Sequence, residues 1–147
     1  MVTRICRILG LLGFLTACAS ALPDIPGVFY QFLLSKPPAL SVCTDLTEEF
    51  AAQLTLHIDN VILRSTEGQC TASLSTGRQS PRAVAGFSVV VAERRITVQV
   101  TEYGAFGMAA TSERTRNLAA QIVAAIQAKF PDSDVREIHP KYGLFGP

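Results

Sequence analysis

Apolar and polar positions change period several times along this chain, and each change marks an element. Val28-Phe29-Tyr30-Gln31-Phe32-Leu33-Leu34 is an apolar, aromatic run stopped by Lys36-Pro37-Pro38, and it predicts a first strand or a short helix packed on the core. Ala39 to Cys43 reads as a short strand. Asp45 then precedes Glu48 by three residues, the spacing of a helix-starting capping box. Leu46, Phe50, Leu54, Ile58 and Val61 recur at steps of three and four, one face of a helix. Leu54 to Asp59 also alternates strictly, as a strand does. The balance predicts a helix over 45–58, a turn at Asp59-Asn60 and a strand over 61–64, with one long helix through 45–63 as the rival.

Beyond that point the pattern is simpler. Cys70, Ala72 and Leu74 alternate with polar neighbours over 69–75, a half-exposed strand. A loop is expected over 77–85, where Arg78, Pro81 and Arg82 fall. Phe87 to Val91 and Ile96 to Val100 flank Ala92-Glu93-Arg94-Arg95, which predicts a hairpin. Leu118, Ile122, Ile126 and Phe130 line one stripe of a helix over 112–130, capped by Thr111 or Ser112 and followed by Pro131. A last strand is expected over 135–138. The order β, α, β, β, β, β, α, β with well-separated helices predicts an α+β fold. Its economical form is a two-layer sandwich, a mainly antiparallel sheet with two helices on one face, ferredoxin-like or related.

The N-terminus carries a different pattern. Arg4 and Arg7 precede the apolar run Ile8 to Leu15, which is shorter than the roughly 20 residues that a transmembrane helix needs. These are the parts of an export signal. Leu15-Thr16-Ala17-Cys18 closes the run and resembles the lipobox of bacterial lipoproteins. The resemblance covers the first 18 residues only. It implies that the signal peptide is 1–17, that the Cys18 thiol is diacylglycerated, and that the new amino group is acylated, with palmitate-type chains as the membrane anchor. Several chains are needed for stable anchoring, since one holds only marginally. Ala19 follows the cysteine where an Asp would favour inner-membrane retention, so the resemblance places the chain at the periplasmic face of the outer membrane. An ordinary secretory signal cut at Ala17-Cys18-Ala19 or Ala19-Ser20-Ala21 is the alternative. Residues 18–27, small and proline-punctuated, read as a tether reaching roughly 30 Å at most, and 28–147 as a single domain.

Charge and cysteines narrow the function. The chain has 13 Lys and Arg against 12 Asp and Glu, and loss of Arg4 and Arg7 with the signal turns +1 into −1. A near-neutral domain offers no basic face for nucleic acid. Cys6 leaves with the signal and Cys18 is taken by lipid, which leaves Cys43 and Cys70 to pair in an oxidising periplasm. A redox or metal role for that pair lacks a CxxC spacing and nearby histidines. His57 and His139 are far apart, and HxxxH, HExxH and GxSxG are absent, so neither a metal set nor a nucleophile elbow is expected. No cofactor is implied, and the chain does not read as an enzyme.

Two features exceed what a fold requires. Tyr103-Gly104-Ala105-Phe106-Gly107 recurs as Tyr142-Gly143-Leu144-Phe145-Gly146. Paired copies would bring Tyr103, Phe106, Tyr142 and Phe145 into an apolar patch for a protein partner, or each would plug an end of the core. Arg114 and Arg116 oppose the dipole at the start of the second helix. They could hold an anion with free N–H groups there, or pair with Glu102 or Glu113. In architecture, though in no shared motif, the chain is similar to auxiliary lipoproteins of envelope transport systems. The function expected is a non-catalytic, membrane-anchored accessory or assembly subunit of an envelope complex that binds a protein partner. The alternative is a periplasmic carrier of lipid or another small molecule.

Overall fold

The computed structural model describes residues 26–77, 81–105, 107–108 and 111–139 of the 147, and Pro26–Ile138 form one compact unit. In chain order the elements are β1 (Val28–Leu33), α1 (Val42–Gln53), β2 (His57–Arg64), β3 (Gln69–Ser75), β4 (Arg82–Val90), β5 (Arg95–Gly104), the two-residue β6 (Gly107–Met108), α2 (Glu113–Lys129) and β7 (Asp134–Ile138). The strands form one sheet in the order β2-β3-β4-β5-β1-β7, with β6 paired to β5, and every pairing is antiparallel. Both helices pack on it, which gives the α+β two-layer sandwich.

Burial follows the strand period. Ala83, Ala85, Phe87 and Val89 of β4 and Ile96, Val98 and Val100 of β5 are buried on one face, as are Cys70, Ala72 and Leu74 of β3. The stripe Leu118, Ile122 and Ile126 of α2 and the pair Leu46 and Phe50 of α1 close over that face. The opposite face carries Thr71, Ser73, Ser88, Thr97 and Gln99, all half-buried, as a polar sheet surface should be. The Cys43–Cys70 disulfide ties the first turn of α1 to β3, with a Cα–Cα distance of 6.1 Å, and both cysteines are fully buried.

Three sequence expectations are corrected. Residues 39–43 form no strand, because α1 already begins at Val42 with Ser41 as its N-cap. The Asp45-Glu48 spacing therefore lies inside the helix, where the Thr44 hydroxyl donates to the Ser41 carbonyl at 2.8 Å and Thr47 donates back to the Cys43 carbonyl at 2.7 Å. Glu48 and Glu49 accordingly lie mid-helix. At the other end, α1 stops at Gln53 instead of 58, and Thr55 turns the chain with φ +54°. A β-branched residue resists that left-handed conformation, so the break is held by the docking of β2 on β3. Alternation over 54–59 outweighs the helical spacing of Ile58 and Val61. Finally, β4 begins at Arg82, five residues earlier than expected. Ala83, Ala85 and Gly86 are weak strand formers alone, but full-length pairing to β3 on one side and β5 on the other holds them in the ladder.

The last helix agrees closely with its pattern. Ser112 caps it in an extended conformation, its hydroxyl accepting from the Thr115 N–H at 3.3 Å. Lys129 near its end reaches Glu49 of α1 at 2.8 Å, a bond between the two helices.

Candidate docking surface

The sheet has two outer strands, and they differ sharply. β7 is five residues long and three of them are charged; Arg136 folds back on Asp134 with Nε at 2.9 Å. Short, charged edges resist pairing with other chains. β2 is eight residues long and every one is exposed, with Ile58 at 48%, Val61 at 38%, Ile62 at 44% and Leu63 at 52%. Among the described residues, no strand covers its outer side.

Its backbone geometry is set by its neighbours. The Val91 N–H donates to the Gly68 carbonyl at 2.9 Å and the Thr76 N–H to the Ala83 carbonyl at 3.0 Å, at the two ends of the β3–β4 ladder. Bonding alternates along an antiparallel ladder, so the even-numbered residues of β3 serve β4 and the odd ones serve β2. Gln69, Thr71 and Ser73 pair with Arg64, Ile62 and Asn60. The N–H and C=O groups of Val61 and Leu63 therefore point away from the sheet, and no described strand pairs with them.

The same register assigns side chains to faces. Ile58, Val61 and Leu63 stand opposite Leu74, Ala72 and Cys70 and share the helix-covered side; Asn60, Ile62 and Arg64 share the polar side. A bulge at Asp59 keeps Ile58 in phase with Val61, and the Asp59 carboxylate accepts from the Ser75 hydroxyl at 3.0 Å. The result is an open strand edge with apolar side chains on both faces.

The residues singled out in the sequence fall elsewhere. Tyr103 is half-buried on β5, with the Arg82 guanidinium 6.0 Å from its ring centre. β5 runs on through Tyr103 and Gly104, and Gly104 pairs with Gly107, so the Tyr-Gly pair of the first copy closes a strand. Phe106, Tyr142 and Phe145 lie outside the described residues, as does Cys18. His57 opens β2 and His139 comes directly after β7. Among the described residues no three His, Cys, Asp or Glu side chains gather as a metal set, and no helix is long and apolar enough to cross a membrane.

Arg114 and Arg116 are exposed on the first turns of α2. Glu102, from β5, stands at that helix start: it takes hydrogen bonds from the Ser112 hydroxyl and from the Thr115 hydroxyl, the latter at 2.8 Å. These two bonds, with the charge of Arg114 adding to them and burial opposing, hold its carboxyl below the ordinary 4.5. Burial, with Glu137 secondary, raises the Tyr30 hydroxyl above its ordinary 10.0. Beside the Glu102 cluster, Leu54, Leu56, Arg114, Asn117 and Leu118 line an open groove of about 480 Å³ between the end of α1 and the start of α2.

Glu102 makes stability depend on pH. Its folded pKa is depressed, so its contribution is complete above 4.5 and is lost as pH falls through the lower folded value. Urea melts between neutral pH and roughly pH 3 should show a shallower loss of stability in Glu102→Gln than in the native chain.

No family model matches the chain, and a search of curated proteins finds no similar one. The open edge of β2 is not legible in the sequence pattern, because an edge exposed on both faces has no in-and-out period. Its one signal is a cluster of four apolar residues within six positions, Ile58, Val61, Ile62 and Leu63, that no single period accommodates.

Proposed function

We propose that this chain is a non-catalytic lipoprotein, anchored through acylated Cys18 at the periplasmic face of the outer membrane. It serves as an accessory or assembly subunit of an envelope complex by docking a protein partner. The observation that supports docking is β2, an edge that no described strand covers and that offers outward backbone groups and apolar side chains. Strand addition uses this combination: the ladder gives affinity and alternate side chains give specificity. Covering the exposed halves of Ile58, Val61, Ile62 and Leu63 contributes about 1 kcal/mol each. Four ladder bonds add about 1 kcal/mol apiece. Immobilising a free partner costs on the order of 4–15 kcal/mol. The sum is close to balance, so confinement near one membrane becomes the deciding contribution, because tethering raises effective concentration. The anchor and the edge belong to one mechanism.

The Cys43–Cys70 disulfide supports an oxidising compartment. Two results test the reading. Globomycin should block processing before Cys18, and a photo-crosslinking residue at Ile62 should capture protein in intact cells while one on exposed Ala120 captures none. Processing that ignores globomycin removes the anchor, and an empty Ile62 lane removes the docking edge.

The groove beside Arg114 favours a second reading, carriage of a small molecule, because its volume falls in the range of ligand sites. Native mass spectrometry after mild extraction would show a retained ligand.

A further inference from the structure

The regular part of β2 is short and symmetric about one residue. The bulge at Asp59 bounds it on one side and the 3-10 turn Ser65–Glu67 on the other, leaving Asn60–Arg64 centred on Ile62. A strand added there must meet Val61 and Leu63 with its own outward groups and must keep its side chains on matching faces.

We propose that the first occupant of this edge is a second copy of the chain, paired antiparallel to its own β2 about a two-fold axis at Ile62, so that two sheets become one. The proposal rests on the reading of β2 as a docking edge and names its partner. In this register Val61 and Leu63 exchange backbone hydrogen bonds with Leu63 and Val61 of the second copy, which are the groups left unpaired in one copy. Their side chains meet on the helix-covered side, and Ile62 meets Ile62 on the polar side. Arg64 faces Asn60 of the other copy and lies next to its Asp59, whose carboxylate is held on that same side by Ser75. Opposite charges therefore approach twice, and no like charges stand opposed. Within its own chain Arg64 has Glu67 at 3.4 Å, an exposed pair that holds it weakly. Other registers do worse. Moving the axis to Val61 sets Leu63 against the bulged Asp59 and Arg64 against Ile58, while moving it to Leu63 sets Ile62 against Arg64. A shift by one residue opposes the two faces.

Cysteine crosslinking of the full chain on its membrane, with the native chain alongside, tests the pairing. Two Ile62 Cα atoms in this register lie about 4.5 Å apart, within disulfide reach, whereas two Asn60 positions lie roughly 14 Å apart. Ile62→Cys should give a reducible dimer and Asn60→Cys should not, with both melting like the native chain. Ile62→Lys, which opposes two like charges, should raise the dimer dissociation constant roughly tenfold or more. No crosslink from Ile62→Cys, or an equal one from Asn60→Cys, overturns the proposal. If the photo-crosslinker at Ile62 captures only a different protein, the docking edge stands and self-pairing falls; if it captures nothing, both fall.

Discussion

Replacing Cys43 and Cys70 together by alanine should lower the stability of the domain by roughly 3.5 kcal/mol, the chain-entropy value for a loop of this length. The bridge spans a sequence separation of 27 and holds the start of α1 against β3, the neighbour of the outer strand β2. Urea titration is the measurement. The midpoint should fall, and the slope should rise, because the unfolded chain without the bridge exposes more surface. Both cysteines are fully buried, so a reductant has no access to the folded bridge. Reduction should be slow in native buffer and fast in urea, tracking the unfolding rate. Equal midpoints for the bridged and alanine chains would mean that packing alone seats α1.

Phe50→Ala should cost about 3–5 kcal/mol, the range for removing a large aromatic side chain from a packed core. Phe50 is fully buried under α1 and meets Phe87 of β4 edge-to-face, with ring centres 5.8 Å apart at 84°. No other described aromatic pair joins the helix layer to the sheet. A domain of this size has on the order of 5–15 kcal/mol to lose, so the variant should melt near the edge of folding. Phe50→Leu keeps most of the volume and should lose less than half as much. An equal loss in both variants would assign the effect to the ring contact and not to the cavity.

The fold is legible in the sequence wherever one face of an element is buried and the other is wet. The stripe Leu118, Ile122 and Ile126, the alternation of Cys70, Ala72 and Leu74, and the hairpin about Glu93-Arg94 all report that one-sidedness. Together they carry the α+β sandwich. The pattern weakens where that condition fails. Ala83 and Ala85 are buried but too small to announce a strand, and β2 is exposed on both faces, so Ile58 and Val61 mimic a helical face that in fact ends before Thr55. The disulfide is legible by counting cysteines. The open edge of β2 is not, because whether a strand lies at the rim of a sheet depends on the order of all the others.

In the proposed reading, Leu15-Thr16-Ala17-Cys18 gives a location and the open edge of β2 gives a reason for being held there, since edge pairing alone is close to balance. Residue-resolved hydrogen exchange on membranes and on dilute, detergent-dispersed chain tests this account most directly. Asn60, Ile62 and Arg64 amides bond to β3 and should be protected in both samples. Val61 and Leu63 amides should exchange freely when dispersed and become protected on the membrane. Free exchange of Val61 and Leu63 in both samples would contradict it.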